Sequence, residues 1–392
     1  MSLNTLPPEL LEQIALFTGT PELFALRLTC RDTQQRTLYT FSARFFSSLG
    51  CDLSTSSVAR LDAIASHGHL RENVRSICFA RRAGVSLGEG FVWERYPWGT
   101  IKEEPAIRNT ERLRRSLLRF PHCDSFAVYA GYPETSTAKL TTSDVLGVVL
   151  DLLNTTQLPV RSFQLVYRSG SIDMRRLPKT RRFSSASMLP NGWSALRTMQ
   201  LHQLVTVQTL PFLLGMAVHA PQLTSLSLRL APADLAGEFV YELARVERLA
   251  PITELAIEHT ACRAEDLRLF LSRLGRSLSS LVLHNVCLLS SDSSISFSTA
   301  ASVAVPIDLA TWATVFHALA QDCPRLQAVA FQELSLSPSA RERSPVSFRL
   351  DERENKTQCI CLQERPPGQV LGVSYTGPEM TRALTMLESA VV

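Results

Sequence analysis

Beyond residue 60 the chain repeats one short pattern, apolar-x-x-apolar-x-apolar. It occurs as VRSICF (74–79), CDSFAV (123–128), VRSFQL (160–165), LRTMQL (196–201), LTSLSL (223–228), ITELAI (252–257), LSSLVL (278–283) and LQAVAF (326–331). The closing apolar residues alternate, which is the period of a strand with one buried face. Helical runs precede several of them: LPFLLGMAVHAPQ before LTSLSL, AEDLRLFLSRLGRS before LSSLVL and WATVFHALAQDCPR before LQAVAF. Ala220-Pro221, Ala250-Pro251 and Cys323-Pro324 stop such helices before the strand, because a proline disfavours helical backbone at the residue before it. One helix-strand unit cannot bury its apolar face alone, so neighbours must stack. The expected architecture is α/β: an irregular helix-strand solenoid over residues 50–336, with parallel strands on the concave side and helices outside.

The units starting at 196, 223, 252 and 278 follow one another at intervals of 26 to 29 residues. The wider intervals elsewhere are explained by loop insertions near 84–110, 170–190 and 289–305. In spacing and pattern the segment resembles the leucine-rich repeat of F-box and related substrate receptors. It departs from the strict repeat in that no Asn recurs at a fixed offset after the strands; Asn285 is isolated. Residues 337–392 read as a closing segment, with strand-like runs at 346–350 and 358–362 and a helix over 378–390.

The N-terminal stretch LPPELLEQIALFTGTPELFALRLTCR (6–31) has a different character. Pro7 and Pro8 suit the first turn of a helix, and Glu9 its positive end. Leu6, Leu10, Ile14 and Phe17 recur at helical spacing, widened by Leu11, and Gly19 is expected to end the helix. Thr20-Pro21-Glu22 reads as the start of a second helix carrying Leu23, Leu26 and Leu28. Thr29 would cap a third, running from about Cys30-Arg31 through Leu38, Phe41, Phe45 and Phe46. Three short helices of this size are too small to hold a core alone. They pack on the rest of the chain or on another protein.

The order Leu6-Pro7-x-Glu9-Leu10-Leu11-x-x-Ile14, then Glu22-Leu23-x-x-Leu26-x-Leu28-Thr29-Cys30-Arg31, resembles an F-box, in particular the fungal form. The resemblance covers roughly residues 3–48, and the F-box domain is expected over 1–49. Many F-boxes carry a Trp three residues after the Cys, where this chain has Thr33. The resemblance implies docking on the Skp-type adaptor of Skp–cullin–F-box ubiquitin ligases and, through it, on a cullin. It assigns the adaptor contacts to Leu6, Pro7, Leu10, Ile14, Leu23 and Leu26, with Arg31 as a polar contact. The implied function is that of a non-catalytic substrate receptor. The alternatives are an F-box and repeat scaffold that binds the adaptor, or none, without directing degradation, and an enzyme with no sequence signature; the N-terminal helices could also be only a cap on the solenoid.

The chain offers little for other classes. A net charge of +4 over 392 residues gives no reason to expect nucleic acid. The longest apolar stretches, Val145–Leu150 and Leu210–Val218, fall far short of a membrane span. No signal peptide is expected from the first residues. Nine scattered cysteines suit reduced thiols in the cytoplasm or nucleus. No cofactor is implied. His67-x-His69 lacks partner ligands, Cys359-x-Cys361 lacks a second pair, and Gly84, Gly88 and Gly90 lack the Lys-Ser/Thr of a phosphate loop, so no metal or catalytic site is expected.

A target-binding surface can be read from the repeats. The position after each strand's last apolar residue holds Ala80, Tyr129, Val166, His202, Arg229, Glu258, His284 and Gln332. Of these His202, Arg229, Glu258, His284 and Gln332 form a mixed-charge row beside small residues. The insertion GVSLGEGFVWERYPWGTIKEEP adds Trp93, Tyr96 and Trp98 as candidate anchors. A basic loop, with Arg175, Arg176, Lys179, Arg181 and Arg182, reads as a solvated segment.

Overall fold

The computed structural model describes residues 5–82, 85–130, 140–167, 170–177, 191–231, 233–289, 312–339, 342–346, 360–365 and 369–390. Two compact units emerge. The first comprises the described residues of Met1–Gln164, Arg175–Arg181 and Pro190–Gly192, the second those of Leu165–Met174, Arg182–Leu189 and Trp193–Val392.

The first unit opens with four helices: α1 (Pro8–Phe17), α2 (Thr20–Thr29), α3 (Arg31–Arg36) and α4 (Leu38–Phe46). There follow β1 (Ser48–Cys51), α5 (Thr55–Ser66), α6 (Gly68–Arg71), β2 (Ser76–Ala80), α7 (Glu103–Leu118), β3 (Ser125–Ala130) and α8 (Thr142–Thr156). Strands β1, β2 and β3 pair in parallel in that order. Next to β3 comes β4 (Ser162–Tyr167), the strand at which the division falls.

The second unit holds β5 (Thr198–Leu204), α9 (Leu210–Val218), β6 (Ser225–Ala231), α10 (Ala233–Arg245), β7 (Glu254–Glu258), β8 (Ala261–Arg263), α11 (Ala264–Leu274), β9 (Ser280–His284) and β10 (Cys287–Leu289). After them come α12 (Trp312–Asp322), β11 (Ala328–Gln332), β12 (Ser335–Ser339), β13 (Glu342–Pro345), β14 (Ile360–Arg365), β15 (Gln369–Thr376) and α13 (Met380–Ala390). Its main sheet runs β5-β6-β7-β9-β11 in parallel, then β15 and β14 antiparallel.

All eight pattern segments are strands, each starting at the third residue of the pattern. Their alternating apolar pairs are buried, from Ile77 and Phe79 to Val329 and Phe331. The residues between those pairs are half-buried on the other face. Helices alternating with parallel strands place the chain in the α/β class.

The third helix differs from the expectation. It breaks at Thr37 into α3 and α4. The Thr37 hydroxyl donates back to Thr33 O at 2.8 Å and accepts from Arg27 Nη1 at 3.1 Å. The Glu12 carboxylate then accepts from the N–H groups of Tyr39 and Thr40, both at 3.1 Å, so a residue on α1 caps α4. The other caps sit one residue from the expected places: Gly19 caps α2, and Cys30 caps α3 through its sulfur, which accepts from Thr33 N at 3.4 Å.

Sequence reasoning gave no warning of β1, β15 or the small second sheet, in which β8, β10 and β12 pair in parallel with β13 antiparallel. That sheet depends on a turn shared by three repeats. His259, Asn285 and Glu333 each follow a main-sheet strand with φ of 53°, 51° and 51°. The His259 N–H donates to His284 O at 2.9 Å and the Asn285 N–H to Gln332 O at 2.8 Å. The fixed offset exists, but its occupants are His, Asn and Glu rather than a recurring Asn. Of the expected closing strands, 358–362 overlaps β14, while 347–350 and 358–359 lie outside the described residues; the expected helix is α13.

Candidate functional site

Three surfaces carry the candidate residues. On α1 and the residues flanking it, Leu6, Leu10, Gln13, Ile14, Phe17 and Thr18 line an open groove of about 490 Å³. Leu10 is 51% exposed, Ile14 41% and Phe17 83%. The groove exists because α1 turns only Leu11 and Ala15 inward, where both are buried. Pro7 and Arg31 are exposed, and Leu6 and Leu26 are half-buried. Leu23 is completely buried and serves the helices' own packing rather than their surface. Phe17, which helical spacing places on this face but which the resemblance does not count among the adaptor contacts, lines the groove and is more than four-fifths exposed; Leu28 on α2 is exposed to the same degree. The available signal for this exposure was their place in the last turns of two short helices. On α2 and α4, Phe24, Phe41, Phe45 and Phe46 form a ring cluster, with the Arg27 guanidinium 3.9 Å from the centre of Phe41.

The second surface is the row on the main sheet of the second unit. Register aligns His202 with Arg229, Arg229 with Glu258, Glu258 with His284 and His284 with Gln332. The five predicted residues therefore stand side by side on β5, β6, β7, β9 and β11. The neighbouring row is Gln200, Ser227, Ala256, Val282 and Ala330. His202 Nε2 lies 3.1 Å from Gln200 Nε2 and 3.3 Å from Ser227 Oγ. Arg229 Nη1 lies 3.9 Å from Glu258 Oε2, and His284 Nε2 lies 3.8 Å from Glu333 Oε2.

His259 joins this row unannounced by the sequence pattern. Its ring meets that of His284 edge-on, with centroids 5.1 Å apart, and the Asn285 side-chain nitrogen lies 3.0 Å from its Nδ1. Ligand atoms of Glu258, His259 and His284 all lie within 4.8 Å of one another. Burial pushes the His202 imidazole below its ordinary pKa, against the pull of Glu258. Burial also lowers His259, assisted by Arg229 and His284.

The third surface is the aromatic insertion of the first unit. Trp93 is half-buried, donates from Nε1 to Gly88 O at 2.9 Å and sits edge-on to Phe91. It pins the loop. Tyr96 and Trp98 stack at 4.6 Å with planes 6° apart, and both are exposed. Between them and Trp93, Arg95 reaches the buried carboxylate of Asp144 with two hydrogen bonds, 2.9 and 2.7 Å, raising the guanidinium pKa. Asp144 also closes the capping box of α8 and lines a cavity of about 350 Å³ with Arg176, Asp151 and Thr100.

His67 is accounted for locally. His67 Nδ1 accepts from Leu70 N at 3.4 Å, capping α6. Cys359, Gly84, Lys179, Arg181 and Arg182 lie outside the described residues. No described helix is long and apolar enough to cross a membrane. No protein-family model matches this chain, and neither does any curated protein.

Proposed function

We propose that this protein is the substrate-recognition subunit of a Skp–cullin–F-box ubiquitin ligase. The observation that carries the reading is the apolar groove of Leu6, Leu10, Ile14 and Phe17 on α1. Apolar side chains gathered in one exposed patch mark a surface that another molecule covers. Fully burying each of the larger ones would contribute about 1.5–3 kcal/mol before the costs of association. The residue order at this groove is that of the F-box resemblance: Leu6, Leu10 and Ile14 line it, and Leu23 of the same pattern is buried among the helices.

The second unit supports the other half of the reading. The aligned row from His202 to Gln332 presents both charges, imidazoles and an amide on a rigid sheet beside small residues. Such a face suits an extended protein segment, which would pair its polar groups with the row and lie over the small residues. The leucine-rich-repeat-like solenoid would thus hold the target while the N-terminal helices hold the adaptor. The contribution is proximity: the target lysine is brought to a charged conjugating enzyme, and no group of this chain enters the chemistry.

The test is capture of the Skp-type adaptor by the full chain. Wild type retains it, and Leu10→Glu/Ile14→Glu loses it without loss of fold, since both side chains lie at the surface. No capture by wild type, or undiminished capture by the double variant, overturns the reading. With capture established, unchanged protein half-lives on deletion of the chain would point to a scaffold that does not direct degradation.

A further inference from the structure

The geometry points to a divalent transition-metal site, of the zinc class, formed by Glu258, His259 and His284 at the ends of β7 and β9. Consecutive residues on a strand point to opposite faces. Glu258 ends β7 and His259 follows it at φ 53°, so the left-handed turn breaks the alternation and lets two neighbouring side chains converge. His284 comes to the same place by register, opposite Glu258. The result is two imidazoles and one carboxylate, a donor set suited to zinc and its neighbours.

The distances fit after a small adjustment. Tetrahedral ligand bonds of about 2.1 Å separate neighbouring ligand atoms by about 3.4 Å. The three ligand atoms here lie within 4.8 Å, so rotations moving each by roughly an ångström close the site. All three side chains are half-buried and reachable from solvent.

The surroundings carry the marks of a supported site. The Asn285 side-chain amide reaches Nδ1 of His259, its nitrogen 3.0 Å away; a ligating imidazole characteristically donates its other ring N–H to such a neighbour, which requires the amide oxygen to face the ring. An amide turned with Oδ1 toward the ring accepts Nδ1–H and leaves Nε2 its lone pair. Glu333, 3.8 Å from His284, adds a nearby carboxylate. Arg229 opposes binding, because its guanidinium stands 3.9 Å from Glu258 and competes for that carboxylate. Three protein ligands leave at least one coordination position open. On a recognition face this position would take a carboxylate or imidazole of a bound protein segment. The ion site itself rests on the sheet alone and stands or falls independently of adaptor binding.

The test uses the untagged full chain, stripped with chelator and titrated with Co²⁺, whose visible bands report coordination. One equivalent should bind saturably and be displaced by Zn²⁺. His259→Asn and His284→Gln should abolish the bands. Asn tolerates left-handed backbone, so the first variant removes the ligand without straining the turn. Asn285→Ala should weaken affinity by about 10–100-fold, and Arg229→Ala should strengthen it. Circular dichroism of the metal-free variants separates lost ligands from lost fold. If a variant fails to fold, the Arg229→Ala arm still decides, since unchanged or weaker binding there contradicts the site. Absence of cobalt bands in wild type, their survival in both histidine variants, or a sulfur-to-cobalt charge-transfer band placing the ion on cysteine would each overturn the proposal.

Discussion

At the scale of single residues the cysteines separate by environment. Burial pushes the thiols of Cys123, Cys262 and Cys323 up to about 12 and that of Cys51 up to about 11. Cys30 differs: hydrogen bonds from the Thr33 side chain and backbone stabilise its thiolate and lower its pKa. Alkylation at neutral pH, followed by mass spectrometry, should modify Cys30 well ahead of those four. Thr33→Ala should slow it, and equal labelling of Cys30 and Cys123 would contradict this account. The same Thr33 occupies the position where many F-boxes carry Trp; here it is buried and supports the helix turn.

His202 gives a pH dependence. Burial holds its folded pKa below the ordinary value, so the folded chain prefers the neutral ring. Its contribution to stability is complete above the unfolded value of about 6.5. It is lost as pH falls from there through the lowered folded value, because the unfolded chain takes up the proton first. The melting temperature should fall as pH drops below about 6.5, and His202→Gln should remove part of that slope. An identical slope in the variant would locate the dependence elsewhere.

At the scale of elements, several ends are fixed by partners far away in sequence. Glu12 on α1 starts α4, and Arg36 on α3 donates to Leu6 O at 2.9 Å, holding the start of α1. Helix α8 combines a local signal with a distant one. Its Thr141–Asp144 capping box is legible as Thr-x-x-Asp, but the partner Arg95 comes from the aromatic insertion. Asp144→Ala removes the box and leaves Arg95, with Arg176 at 3.5 Å, around an empty place. We expect a stability loss on the order of 3 kcal/mol in chemical denaturation; less than about 1 kcal/mol would reduce Asp144 to an ordinary cap.

At the scale of the whole molecule, the proposed adaptor groove and the charged row fall in different compact units. Substitutions in one should leave the other's binding intact. Arg229→Ala/Gln332→Ala should capture the Skp-type adaptor as wild type does, while Leu10→Glu/Ile14→Glu should keep the same cobalt titration. Loss of adaptor capture on changing the row would show that the two surfaces are coupled.

The apolar repeat by itself determined the eight strands and their buried faces, because alternation is local and a one-residue slip would expose every core side chain. It also determined the row from His202 to Gln332, since residues at one offset in stacked parallel strands must become neighbours. The helical spacing of Leu6, Leu10, Ile14 and Phe17 likewise placed them on one face. Tertiary structure decided the rest. Leu23 faces inward because of how the four helices pack. The break at Thr37 depends on a carboxylate from another helix. Two strands of the small second sheet, β8 and β10, have only three residues each, too short to carry a pattern, and the sheet depends on left-handed turns that His, Asn and Glu adopt without glycine's signature. His259 sits at such a turn, and only the fold brings it beside Glu258 and His284. Local periodicity records which face of an element is buried; which distant polar group reaches its end is decided when the elements pack.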